Sequence, residues 1–113
     1  MNQPSALPLD DLVVIELGDS IAAAYTGKLF ADLGATVVRV DELSGGSFYR
    51  SEPLVGSDAA GLKVSASWLH LNRGKQSVTC ALDQPGGREI LGQLFGRADL
   101  VIDGLGVDVL ARR

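Results

Sequence analysis

Two short runs rich in β-branched residues, 12–17 (LVVIEL) and 35–40 (ATVVRV), flank a stretch with a different period. No other feature limits the fold of this chain so narrowly. The first run is short and nearly continuous in apolar residues, as expected of a strand buried on both faces. From Ile21 the apolar residues recur every fourth position, at Ile21, Tyr25, Leu29 and Leu33, with Ala22 and Phe30 beside them. That spacing predicts one helical stripe facing a core. Gly34 follows where a left-handed helix cap is wanted. A strand, a helix and a second strand joined this closely require parallel strands and a right-handed crossover.

The pattern then repeats with other residues. Residues 76–82 (QSVTCAL) predict a third strand, and Asp83 or Gln84 is placed to cap a helix with Pro85 in its first turn. Ile90, Leu91, Leu94 and Phe95 are expected to form that helix's buried face, and residues 100–102 a fourth strand. Between the two units, residues 44–66 are rich in glycine and serine and read as a long loop. Residues 1–9 carry two prolines and read as a flexible lead-in. Residues 10–113 then form one unit: an α/β fold with a Rossmann-like parallel sheet, about four strands and two main helices.

Composition excludes several functions. A chain of 113 residues has a core for one domain but not two. Its net charge of −4 lacks the basic footprint of a nucleic-acid binder. One cysteine permits no internal disulfide, and one cysteine with one histidine makes no structural zinc set. Cys80 is expected to be an inert core thiol. The N-terminus has no secretory pattern, and no apolar stretch reaches the length of a membrane span. A soluble, cytoplasmic protein is expected.

Gly18-Asp19-Ser20-Ile21 at the end of the first strand resembles the nucleophile block of GDSL-type serine hydrolases. Such chemistry needs a histidine base oriented by a carboxylate. The only histidine is His70; the residue three before it is Ser67, and no Gly-x-Asn-Asp block occurs. Ser20 is therefore expected to start the helix rather than attack a substrate. Nucleotide loops fare no better. Gly27-Lys28 is followed by Leu29, Ala22 stands where a P-loop has its first glycine, and no Gly-x-Gly-x-x-Gly follows the first strand.

A second resemblance runs along nearly the whole chain. Residues 7–42, LPLDDLVVIELGDSIAAAYTGKLFADLGATVVRVDE, are similar to the start of the family III (CaiB/BaiF-type) CoA-transferases, in particular to their Leu-Ala-Asp-Leu-Gly-Ala and Val-Ile-Lys-Val-Glu blocks. GGSFYR (45–50) is similar to the family's Gly-Gly-Asp-x-x-Arg loop, and LNRGKQSV (71–78) to Leu-Asn-Arg-Asn-Lys-Arg-Ser-Ile. QPGGREILGQLFGRADLVIDGL (84–105) is similar to the block that ends in Glu-Asn-Phe.

The resemblance implies an enzyme that moves coenzyme A between acyl-CoA and a carboxylic acid. In that family an aspartate carboxylate attacks the thioester and forms a mixed anhydride, and some relatives are acyl-CoA racemases. The family's aspartate lies beyond the fourth strand, so this chain is expected to hold no catalytic residue. CoA contact carries over to Ala22, Arg50, Lys75, Leu105 and Arg112; no tightly bound cofactor or metal is implied, and acyl-CoA enters as substrate. A protein partner is also implied, either the C-terminal remainder of such an enzyme or a second copy.

The departures are specific. Ala23-Ala24 replaces the Gly-Pro of the family's Ala-Gly-Pro turn, and Gly104 replaces the Asn of Glu-Asn-Phe. Glu42 and Asp83 stand where relatives commonly place cations near CoA phosphates. A degenerate, non-catalytic assembly module is thus the alternative to an enzyme segment. Among single residues, Arg39 and Lys28 are expected at solvated element ends, Trp68 as a packing anchor and His70 as structural. Arg50 is balanced between a functional and a structural role. Asn72, Arg73 and Lys75 suit a turn as well as they suit a ligand.

Overall fold

A computed structural model describes residues 7–18, 20–42, 54–57 and 63–105. Within these, β1 (Val13–Gly18) leads through α1 (Ile21–Asp32) to β2 (Thr36–Glu42). A hairpin of β3 (Leu54–Ser57) and β4 (Lys63–Ser65) and a short helix α2 (Ala66–Asn72) precede β5 (Gln76–Cys80). Then α3 (Pro85–Arg97) leads to β6 (Leu100–Gly104). The main sheet has the order β5-β2-β1-β6, and all its pairings are parallel. This is the expected Rossmann-like α/β arrangement, with three helices rather than two.

Strand order sets the layers. The chain steps outward from β1 to β2 to β5, then returns across the sheet to place β6 on the other side of β1. Crossovers in opposite directions put their helices on opposite faces. On the α3 face, Ile15, Leu17, Val38, Val40, Cys80, Leu82 and Leu91 form an apolar core. On the α1 face, Val14, Ala35 and Val37 pack with Phe30, Ala31 and Ile102, and Ala24 packs with Leu71 and Trp68. The start of β6 is pinned to β1 by two bonds: Val13 N donates to Asp99 Oδ2 and Asp99 N to Val13 O, each at 2.8 Å.

The caps follow the sequence. Ser20 is the N-cap of α1, its hydroxyl accepting the Ala23 N–H at 3.2 Å. Gly34 has φ +105°, and its N–H donates to Ala31 O at 3.0 Å, closing the helix. Gln84 caps α3 through its backbone alone, with no side-chain bond, and Pro85 fills the first turn.

Three expectations are corrected. The stripe Ile21, Tyr25, Leu29, Leu33 does not face the core; these residues are 46–53% exposed. The buried face of α1 is instead Ala23, Ala24 and Gly27. The cause is beneath the helix, where a β-carbon on Gly27 would collide with the Glu16 carboxylate. Only small residues let α1 approach a strand that carries a buried charge. On α3 the error is smaller: Leu91 is buried and Leu94 and Phe95 are half-buried, but Ile90 is 45% exposed. Finally, residues 44–66 are not loop throughout, since β3 pairs antiparallel with β4 and α2 begins at Ala66. The rest of that stretch, and residues 1–6 of the lead-in, lie outside the described residues.

Candidate functional site

In an open parallel sheet the two strands whose crossovers diverge leave a crevice beyond their carboxyl ends. Here those strands are β1 and β6, and their last residues, Gly18 and Gly104, are register partners. The backbones meet closely. Gly18 has φ +89°, and a β-carbon on it would strike the Gly104 carbonyl group. A β-carbon on Gly104 would stand 2.7 Å from Leu17 O, 2.8 Å from Ala23 Cβ and 3.1 Å from Ser20 Cβ. Glycine at both positions is what lets two strand ends and the first turn of α1 converge. An asparagine at position 104 would bring its β-carbon against these same atoms.

Two of the five sequence candidates flank this convergence. Ala22 lies exposed in the first turn of α1, and Leu105 directly follows Gly104, its N–H donating to Asp103 Oδ1 at 3.0 Å. Arg50 and Arg112 lie outside the described residues.

Lys75 is placed elsewhere, under α1. Its ammonium donates to Glu16 Oε1 at 2.6 Å, Ala24 O at 2.8 Å and Asn72 Oδ1 at 3.1 Å. Both side chains of the pair are 1% exposed. An ammonium has three donors, and all three are taken by protein oxygens. Burial pushes the Glu16 carboxyl up from its ordinary value, against the hydrogen bond from Lys75. Burial likewise pushes Lys75 down, against its bond to Glu16.

Arg39 completes the network, which corrects its reading as a solvated strand end. Its side chain is 3% exposed and bonds Asp41 Oδ1 through Nη2 at 2.8 Å. Its Nε faces Glu16 Oε2 at 3.6 Å, and its guanidinium lies 5.6 Å from the centre of the Trp68 ring. Trp68 is thereby a half-buried packing anchor, as expected. Among the described residues, Lys75, Arg39, Glu16 and Asp41 bring two cations and two carboxylates together between the sheet and α1.

Glu16 was not singled out from sequence. Its signal was available: a carboxylate at an inward position of a strand buried on both faces requires a partner.

A second concavity, a cleft of about 620 Å³, lies between α1 and α2 and is lined by Lys28, Ala31, Asp32, Leu69, His70, Arg73 and Gly74. Lys28 is bound there to Asp32 at 2.6 Å. Ser20 is not among its lining residues, and its hydroxyl is engaged in the helix cap. Cys80 is buried, and burial pushes its thiol up, away from the thiolate. Among the described residues there is no group of three or more histidine, cysteine or acidic side chains able to hold a metal. Among them, too, no helix is long and apolar enough to cross a membrane.

The fold and crevice define a doubly wound α/β segment of the kind that receives nucleotide-bearing ligands at a switch point. Residues 9–113 match the CoA-transferase family III model, and the chain belongs to that family. It is 38% identical over 108 residues to the succinate–glutarate CoA-transferase of Agrobacterium fabrum, covering 93% of this chain and 27% of the relative. It is 39% identical over 95 residues to the succinyl-CoA:mesaconate CoA-transferase of Haloarcula hispanica, covering 84% and 24%. The crystal structure of a CaiB/BaiF family protein from Brucella suis superimposes with a TM-score of 0.75 at 34% identity, over 86% of this chain and 25% of that one. The chain spans about a quarter of the length of the relatives it matches.

Proposed function

We propose that this chain is the N-terminal, nucleotide-side portion of an enzyme that transfers CoA between an acyl-CoA and a carboxylic acid. The observation that carries this reading is the convergence of Gly18, Gly104 and the first turn of α1 at the sheet's switch point. On this reading the crevice receives part of CoA, with backbone rather than long side chains lining its floor. Ala22 and Leu105 form its edges, and Arg50 and Arg112 supply cations for the CoA phosphates. Lys75 acts through α1: by holding Glu16, Ala24 and Asn72 together it positions the helix whose first turn borders the crevice.

The reading assigns the carboxylate nucleophile to the three quarters of the fold that the relatives have and these 113 residues do not span. The partner implied is the C-terminal remainder of such an enzyme or a second copy, and residues 1–113 tested by themselves are expected to show no transfer. The experiment is calorimetric titration of the chain with CoA, together with a radiolabelled CoA exchange assay between two acids. Saturable binding without exchange above a no-protein control supports the reading. Absence of binding at millimolar CoA overturns it.

A second reading, a non-catalytic module that keeps the fold for assembly, is favoured by one observation. The described residues at the crevice, Gly18, Ser20–Ala23 and Asp103–Leu105, include no cation. That reading predicts no CoA binding at all, so the same titration separates the two.

A further inference from the structure

The cleft of about 620 Å³ between α1 and α2 lies away from the switch point. Its α1 side is Lys28, Ala31 and Asp32, near the end of a twelve-residue helix whose first turn borders the crevice. At 1.5 Å per residue the two ends of that helix are about 15 Å apart. The opposite side includes Arg73 and Gly74, which come just before Gln76, the first residue of β5. The cleft therefore opens at the amino ends of the strands, and the crevice at their carboxyl ends.

The two concavities also differ in charge. Among the described residues the crevice has no cation, whereas the cleft has Lys28 and Arg73, with His70 beside them and Asp32 as its carboxylate. The Lys28 side chain is only 18% exposed and gives one donor to Asp32 Oδ2 at 2.6 Å. Two of its three donors remain. Arg73 is exposed, and among the described residues no hydrogen bond or ion pair engages its five N–H groups.

We infer that this cleft binds a small monocarboxylate with a short apolar tail. Charge selects the head. Lys28 and Arg73 against Asp32 leave one net positive charge, which a single carboxylate neutralises and a polyphosphate would exceed. A guanidinium fork matches a carboxylate in a bidentate manner, so Arg73 is the principal contact and Lys28 the second. The tail is selected by Ala31 and by Leu69, which is 49% exposed and gains by being covered. Entry is open beside Gly74, where even a β-carbon would meet nothing within 4 Å. The volume is within the range of small-molecule sites.

This inference does not rest on the CoA reading, which calorimetry with CoA tests separately. The experiment is an NMR titration of the 113-residue chain, following backbone amides, with hexanoate as probe beside acetate, 1-hexanol and inorganic phosphate. Hexanoate is expected to saturate at millimolar concentration and to shift amides at 28–32 and 69–74. Acetate lacks the tail and 1-hexanol the charge, so each should bind at least fivefold more weakly. Arg73→Ala should weaken hexanoate at least fivefold, with Arg73→Lys intermediate. Arg97→Ala, which removes an exposed arginine of α3, should leave it unchanged. Arg73 is exposed, and circular dichroism checks that its variants keep the fold. No saturable shift overturns the proposal, as do shifts centred on 20–23 and 103–105, which would put the carboxylate in the crevice. Equal binding of phosphate and hexanoate would mean an adventitious anion only. Equal binding of 1-hexanol, or equal loss with Arg97→Ala, overturns it as well.

Discussion

The ammonium of Lys75 reaches 59 positions back along the chain to stand 2.6 Å from Glu16 Oε1, in a space that α1 closes with Gly27. That relationship ties β1, α1 and the turn before β5 into one unit. It also explains why the helix presents its small face to the sheet and its large residues to solvent.

Removing Lys75 leaves the buried Glu16 carboxylate facing only the more distant Arg39, whose Nε is 3.6 Å away. Lys75→Met is expected to cost about 3–5 kcal/mol. The double variant Glu16→Leu/Lys75→Met, which removes both charges, is expected to cost clearly less than the sum of the single changes. Urea unfolding of the three variants checks this; additive losses would mean that the two groups do not interact.

The pH dependence has a defined sign. Burial holds the folded pKa of Glu16 above its ordinary 4.5. A raised carboxyl pKa means that the folded state binds the proton more tightly, so its contribution is fully present below 4.5 and lost as pH rises through the folded pKa. Stability relative to Glu16→Gln should therefore shift in favour of the native chain as pH falls toward 4.5. Denaturant midpoints measured for both from pH 7 down to 4.5 give the result, and a shift in the opposite direction would contradict it.

At the crevice the prediction is steric. Gly104→Ala places a β-carbon 2.7 Å from Leu17 O and 2.8 Å from Ala23 Cβ, and should cost about 1–3 kcal/mol in thermal or chemical unfolding. Gly18→Ala adds the penalty of φ +89° to a collision with the Gly104 carbonyl group and should cost more. Full tolerance of both would show that the two strand ends do not approach this closely.

Ser20→Ala removes the hydroxyl that accepts the Ala23 N–H and should cost about 0.5–2 kcal/mol. A serine-directed fluorophosphonate is expected to leave Ser20 unlabelled. Covalent labelling that disappears in the variant would restore the hydrolase alternative.

Strands β1, β2 and β6 were legible in the sequence because each is a short, mostly apolar run, and residues with one structural use, such as Gly34 and Pro85, punctuate the chain between the strands; β5, with the sequence QSVTC, is only weakly apolar. The facing of α1 was not. Periodicity weights large apolar residues, and here these point outward while alanine and glycine face a buried carboxylate. Helix α2, with seven residues, is too short for a period to declare itself. The switch-point crevice was only half legible. Ala22 and Leu105 were reached through a family pattern, whereas the mutual need for glycine at Gly18 and Gly104 depends on a pairing 86 residues apart in the chain. Lys75 shows the converse: its position in a family motif suggested a ligand, and its partners are protein atoms.

If the crevice binds CoA, the carboxylates that stand where relatives commonly place cations near the CoA phosphates, Glu42 and Asp83, are expected to set the affinity. Glu42 ends β2 half-buried and Asp83 is exposed just before α3. A carboxylate within about 4–6 Å of a phosphate opposes it by roughly 1–3 kcal/mol at intermediate dielectric, and less where water screens it. Reversing both charges should therefore strengthen binding, and Gly104 must be left unchanged, since an asparagine there meets the same collision as alanine. Glu42→Arg/Asp83→Lys is expected to improve CoA affinity at least about tenfold, or ~1.4 kcal/mol. Much of the gain is electrostatic, so it should shrink as salt is raised. Calorimetry at two ionic strengths reads both effects. Affinity that is unchanged, or a gain indifferent to salt, would show that these carboxylates do not face the phosphates.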